Sequence, residues 1–271
     1  HQVAEAARAL GVEARVLPWC GAKPERRIQE RAREMRYELL AQYASESGLG
    51  PCAILTAHTQ DDQAETVLMR LARGSGPDGL QGMRSVRALE PYSNLVLVRP
   101  LLNHSRNQLR SFLVAHEIKW FDDPSNEDAR FERVRFRAAA GTLSDLGLTP
   151  AMLGLAAERQ QRAVAALEAA TDATAAAALD LHGGMFASIN AGIFRVAAPE
   201  IQIRLLNRVL NMFGGGSGPA EMAQVERLAR TMMTAPAARA TLGGCEVRAC
   251  EREIRVFRER GRARLTPMQI D

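Results

Sequence analysis

One imidazole and three carboxylates crowd into a short stretch of this chain: His58, Asp61, Asp62 and Glu65, in the run ILTAHTQDDQAET that begins at Ile54. They follow an apolar segment, Ala53–Ala57, and precede a helical pattern that exits through the glycine-rich Arg73–Gly76. Apolar strand, polar step and helix is the layout of an α/β sheet, which presents its chemistry beyond the carboxyl ends of its strands. A helix start favours anions, Mg²⁺ bridging phosphates needs hard oxygen ligands, and a carboxylate can take up protons. A plainer reading stands beside this one. Thr59 followed three residues later by Asp62 is close to a capping box, and acids suit a helix N-terminus in any case.

Cations supply the second half of the chemistry. Arg33 and Arg36 are three apart, so on a helix they share a face. Arg73-Gly74-Ser75-Gly76, with Gly79 and Gly82 behind it, makes a permissive loop, although short glycine loops are often plain helix ends. Arg130, Arg133, Arg135 and Arg137 form a basic stripe that lines one side if extended and spreads if helical. Each of these is also readable as a solvated charge run. Of 35 basic residues only Lys23 and Lys119 are lysines, and arginine is the better bidentate phosphate ligand.

Stepping along the chain, Val12–Trp19 reads as a strand and Glu25–Ser47 as a long helix. Ala53–Ala57 reads as a strand buried on both faces, because it lacks alternation. Asp61–Leu71 follows as a helix, Gly74–Gly82 as a loop and Leu95–Val98 as a short strand. Ser105 reads as the N-cap of a helix ending at His116. Such alternation predicts a parallel sheet with crossover helices. From Ala138 the chain turns alanine-rich and helical, and Thr149-Pro150 opens a long helix. Residues Thr241–Glu259 alternate like a β-hairpin. These shifts predict two domains, 1–140 and a smaller, mostly helical 141–271.

Hydrophobic content of 46% and charged content of 24% are ordinary for a soluble protein, and no apolar run approaches the ~20 residues of a membrane span. A pI near 9.2 permits nucleic-acid binding. Cys20, Cys52, Cys245 and Cys250 show no CxxC spacing, so they predict small buried or half-buried thiols rather than a zinc knuckle or an iron–sulfur cradle.

The stretch from Ile54 to Met83 resembles the HxxDDxxET…RGSG…GLxGM signature of the tRNA(Ile)-lysidine synthetases, of the PP-loop or N-type ATP pyrophosphatase class. Gln29–Tyr37 (QERAREMRY), Arg99–Leu102 (RPLL), Ser105-Arg106 and Trp120–Asp128 (WFDDPSNED) follow in that family's order. The resemblance covers the first half well and the second half loosely. It implies a Rossmann-like α/β PP-loop domain of the adenine nucleotide alpha hydrolase type. No SGGxDS phosphate loop occurs in these residues; the resemblance places that loop and the first strands ahead of His1. The chain is therefore expected to be incomplete at its N-terminus.

The resemblance further implies an ATP-dependent ligation of free L-lysine to carbon 2 of the wobble cytidine in the CAU anticodon of tRNA(Ile). The intermediate is an adenylated cytidine. Asp62, Arg36 and His58 would be catalytic, with His58, Arg73, Gly74, Ser75 and Gly76 at the nucleotide. Asp62 and Asp61 would sit near Mg²⁺, and Arg133, Arg135 and Arg137 near tRNA. Arg137 falls on the last arginine of the family's Arg-Asn-x-x-Arg pattern, in which this chain has Val134 for the asparagine; Asp123 and Asn126 match before it. The second domain would be tRNA-binding, the enzyme bacterial and cytoplasmic, with room for a homodimer. His58, Asp62 and Arg36 are expected to converge on an open cleft at the strand end. Two other readings remain: a PP-loop tRNA thiolase, which generally needs paired cysteines, and a non-catalytic RNA-binding relic.

Overall fold

A computed structural model describes residues 2–21, 28–48, 50–89, 92–120, 132–214, 220–235 and 237–259. Two helices come first, α1 (Gln2–Ala9) and α2 (Ile28–Glu46). Val12–Trp19, expected as a strand, forms none. Val12 and Val16 are 58% and 72% exposed, and no strand among the described residues pairs with them. A β-prone segment without a ladder partner has nowhere to place its backbone hydrogen bonds except water.

The apolar run forms β1 (Cys52–Leu55), followed by α3 (Gln60–Ala72), a single-turn α4 (Pro77–Leu80), β2 (Val86–Leu89), β3 (Tyr92–Val98) and α5 (Arg106–Ala115). The sheet order is β1-β3-β2. β1 and β3 are parallel, with Leu55 opposite Val98, as the α/β pattern predicts. β2 was not anticipated; it adds antiparallel to the outer edge of β3. Nor is β1 buried on both faces. Ile54 packs with Leu95, Leu97 and Ala41 of α2, while Leu55 is 65% exposed. The unbroken apolar run therefore did not mark a two-sided burial among the described residues.

Helices α6 (Glu132–Ala138), α7 (Ala140–Asp145) and α8 (Pro150–Ala178) follow. Leu153 and Ala157 at the start of α8 bury Ala64 and Val67 of α3. By compactness the chain divides into two units, His1–Gln160 and Gln161–Asp271.

The second unit holds β4 (Leu179–His182), β5 (Phe186–Asn190), α9 (Ala191–Val196), α10 (Pro199–Phe213), α11 (Met222–Thr234), β6 (Ala238–Leu242), β7 (Cys245–Ala249) and β8 (Glu253–Arg258). Its sheet is five-stranded and antiparallel, ordered β4-β5-β8-β7-β6. The expected hairpin is thus only part of it. Gly183 and Gly184, both at positive φ, turn β4 into β5. Alternation along β7 and β8 sends Cys245, Val247, Ala249, Ile254 and Val256 to one face. There they meet Leu205, Leu206, Val209 and Leu210 of α10 and Val225, Leu228 and Met232 of α11. The helical spacing of those residues makes one apolar stripe on each helix. No helix among the described residues is long and apolar enough to cross a membrane.

Candidate active site

β1 and β3 end side by side. Thr56 N–H donates to Val98 O at 2.9 Å, which brings Ala57-His58 alongside Arg99. The Thr56 hydroxyl lies 2.9 Å from His58 Nδ1 and orients the ring. Thr59 then starts α3 with a complete capping box: its hydroxyl accepts from Asp62 N–H, and Asp62 Oδ2 accepts from Thr59 N–H at 2.9 Å. The capping reading of the sequence is therefore correct, and Asp62 is also more than a cap.

Its other oxygen, Oδ1, faces two guanidiniums, Arg106 and Arg137, each at 3.4 Å. Glu65, one turn on, takes Arg137 through both oxygens, the Nη2–Oε2 contact being 3.2 Å, and lies 3.8 Å from Arg106. Asp61 accepts from the Arg106 backbone N–H at 2.7 Å. The side chains of Asp62 and Glu65 keep only 14% and 7% of their surface. Burial pushes the Asp62 carboxyl up. Hydrogen bonds from Thr59 and the charges of Arg106 and Arg137 outweigh that and hold it below the usual carboxylate range. The Glu65 hydrogen bond in turn raises Arg137.

This carboxylate–guanidinium pair opens onto a cavity of about 170 Å³. Its charged wall is Asp61, Glu65, Arg106 and Arg137; its apolar wall is Leu68, Phe136, Leu143, Leu148, Pro150 and Leu153. Such a lining suits a ligand that carries charged groups on an aliphatic chain.

His58 lies in the opposite kind of field. Desolvation, then the charges of Arg33 and Arg99, lower its pKa from 6.5 to about 4; Asp62 opposes this and Arg133 adds to it. Arg33 itself, exposed by area yet desolvated at its guanidinium, is lowered, with Arg133, Arg99 and Arg87 contributing. Arg99 is 4% exposed, donates to Arg84 O at 2.7 Å, and its Nε has no partner among the described residues. Cations that repel one another around a neutral imidazole, with Arg99 buried among them, favour the approach of a polyanion. Proton linkage follows. Between about pH 4 and 6.5 the unfolded chain holds a His58 proton that the folded chain does not, so the folded state gains stability as pH rises through that window and loses it as pH falls. An anion beside it reverses the shift. Pyrophosphate should raise the His58 pKa toward 6.5 and should bind more tightly as pH falls through the window, read by NMR titration with His58→Gln for assignment. An unmoved His58 resonance would remove phosphate from this place.

The sequence candidates are distributed unevenly. His58, Asp61 and Asp62 come together. On α6, helical geometry puts Arg133 and Arg137 on one face, Arg133 toward His58 and Arg137 on Glu65, while Arg135 is exposed. Arg36 is exposed on α2 and makes no hydrogen bond or ion pair with His58 or Asp62 among the described residues; Arg33, on the same helix, is the arginine in the His58 field. Arg73 pairs with Glu132. The Gly74–Gly82 loop is tied back to α3: Arg70 donates to Gly79 O and Gly82 O, and buried Gln63 exchanges two hydrogen bonds with Met83. Gly82 needs to be glycine, since its φ is +67° and a Cβ would lie 2.7 Å from the Gln63 amide. Asp123, Asn126 and Arg130 lie outside the described residues.

The sequence marks Glu65 as one of four clustered ionisable groups without a role of its own, and Arg99 and Arg106 only as members of family segments. Each falls in a quoted family segment, but its role depends on partners distant in sequence. The Asp61 and Asp62 carboxylates are engaged by backbone N–H groups and guanidiniums, and among the described residues no three His, Cys, Asp or Glu side chains gather. Mg²⁺ carried on a nucleotide's phosphates needs only one or two such carboxylates.

Comparison with known proteins agrees with the geometry. Residues 1–142 match the model of the PP-loop domain family. The chain is 42% identical to a tRNA(Ile)-lysidine synthase of Methylobacterium nodulans, covering 89% of this chain and 72% of that protein. It is 44% identical to the enzyme of that name from Rhodopseudomonas palustris, covering 86% and 66%, and 41% identical to that of Bradyrhizobium diazoefficiens, covering 88% and 66%. The chain thus spans about two thirds of the length of these relatives. With a PP-loop domain over its first half and this identity along most of its length, the chain belongs to the tRNA(Ile)-lysidine synthase family.

Proposed function

We propose that this protein uses ATP to join free L-lysine to carbon 2 of the wobble cytidine in the CAU anticodon of tRNA(Ile), in the bacterial cytoplasm. The observation that carries the reading is the cavity beside Glu65 and Arg137, whose lining combines opposite charges with an apolar wall. Lysine, whose charged groups are joined by a long aliphatic stem, matches such a lining.

The base oxygen attacks the α-phosphorus of ATP, forming the cytidine–AMP bond as pyrophosphate leaves. Arg33, Arg99 and Arg133 around neutral His58 offset the charge on the departing phosphates. The lysine amine then attacks carbon 2, and the carbon–oxygen bond breaks with AMP as leaving group. Asp62, ionised at neutral pH and beside the cavity, accepts the ammonium proton. The Mg²⁺ that the family resemblance implies would, when bound with ATP, offset phosphate charge alongside these arginines. No cysteine lines the cavity, where a sulfur-transfer enzyme would need one.

The test is incubation of the full-length protein with ATP, labelled lysine and a tRNA(Ile) transcript bearing a CAU anticodon. Label should enter the tRNA with one AMP and one pyrophosphate released per lysine. Binding of the transcript with no label and no AMP would replace the ligase with the RNA-binding relic.

A further inference from the structure

The outward face of the five-stranded sheet in Gln161–Asp271 carries side chains that neither its core nor the candidate active site uses. The strand registers set them in two rows across β4-β5-β8-β7-β6. One row runs His182, Phe186, Phe257, Glu246 and Thr241; its neighbour runs Asp180, Ser188, Arg255, Arg248 and Arg239.

Three arginines therefore stand directly opposite one another on adjacent strands, an arrangement that destabilises a sheet. Two carboxylates stand against them. Glu246 is shared by Arg239 and Arg248, and Glu253 takes Arg255. The three guanidinium side chains remain 69%, 55% and 51% exposed, so most of their N–H groups face solvent. Asp180 lies at the far end of the row, two strands from Arg255.

The first row is a column of rings. His182 stacks on Phe186 at 4.3 Å, and Phe186 on Phe257 at 5.2 Å. The Arg248 guanidinium covers the Phe257 end at 5.6 Å. At the other end exposed His182 sits on edge strand β4, held by a 2.7 Å hydrogen bond to buried Ser188. The column thus finishes at the sheet edge in a ring whose orientation is set from below.

We propose that this face binds RNA, with the arginine row on backbone phosphates and an unpaired base stacked on the His182 end of the ring column. Guanidiniums beside stacked rings are the two components of single-strand recognition. An acidic peptide would engage the arginines and leave the rings without a role. The RNA is taken to be the tRNA of the preceding section, on whose reading this rests.

The experiment is fluorescence anisotropy of the full-length protein with a labelled CAU-anticodon tRNA transcript over a range of salt, with polyglutamate as the competing acidic probe. Arg248→Gln/Arg255→Gln should raise Kd about tenfold or more and reduce the salt slope by about 2, one unit per lost phosphate contact. His182→Ala should weaken binding about tenfold at an unchanged salt slope, and His182→Phe should restore it. Binding of the transcript that is indifferent to all three changes overturns the proposal, as does polyglutamate binding that responds to them while tRNA binding does not. Wild-type tRNA binding without lysine incorporation would sink the ligase reading and leave this face standing.

Discussion

Asp62→Asn should abolish lysine incorporation while the protein stays folded. The substitution keeps the shape of the side chain and an oxygen for the Thr59 cap, but removes the charge that Arg106 and Arg137 face at 3.4 Å. The stability cost should be about 1–2 kcal/mol, the value of charge-assisted hydrogen bonds at a half-buried cap. The rate should fall by about 10³-fold, because the proton of the incoming lysine loses its acceptor. Urea unfolding and single-turnover incorporation on the same sample separate the two. Turnover within a few-fold of wild type would remove Asp62 from the chemistry.

Arg137→Ala should be the more damaging change to the fold. Glu65 keeps 7% of its surface and Asp62 14%, and Arg137 is the guanidinium bonded to both. Removing it leaves two buried carboxylates with Arg106 as the remaining cation, at 3.4 and 3.8 Å. Breaking a buried pair from one side costs about 3–5 kcal/mol; the 28% exposure of Arg137 places this case at the lower end. Glu65→Gln in the same protein should recover most of the stability and none of the activity. A double variant no more stable than Arg137→Ala would show that the pair does not hold α6 to α3. This outcome also separates the residue from a simple tRNA contact, since loss of a phosphate ligand would leave unfolding unchanged.

Arg135, two residues away, illustrates why the stripe needed a structure. Spacing alone allowed the arginines of 130–137 to line one side or to spread. Helical geometry puts Arg133 and Arg137 on one face and Arg135 on the other. Arg33 and Arg36 make the same point from another direction. Three-residue spacing says they are neighbours, and it is the packing of Tyr37, Leu40 and Ala41 of α2 against β1 and β3 that leaves Arg33 in the field of His58.

What the chain determines by itself is local. Thr59 with Asp62, and Ser105 with Gln108, close capping boxes because donor, acceptor and spacing lie within four residues. Alternation along 245–256 marks the inner face of β7 and β8 for the same reason, a period of two read over a few residues. The order of the family's motifs, equally, needs only the chain. The tertiary structure decided everything that depends on partners far apart. β2 has no legible signal, because VRAL is exposed along most of its length and becomes a strand only by hydrogen-bonding to β3. β1 looked buried on both faces, since an apolar run does not say how many layers cover it. The pairing of Arg137 with Glu65 spans 72 positions, and Arg99 enters the field of His58 only because β1 pairs in parallel with β3. Hydrogen-bond caps and strand periods are short-range and therefore written in sequence order; charge compensation in a low-dielectric interior depends on distances that only folding sets.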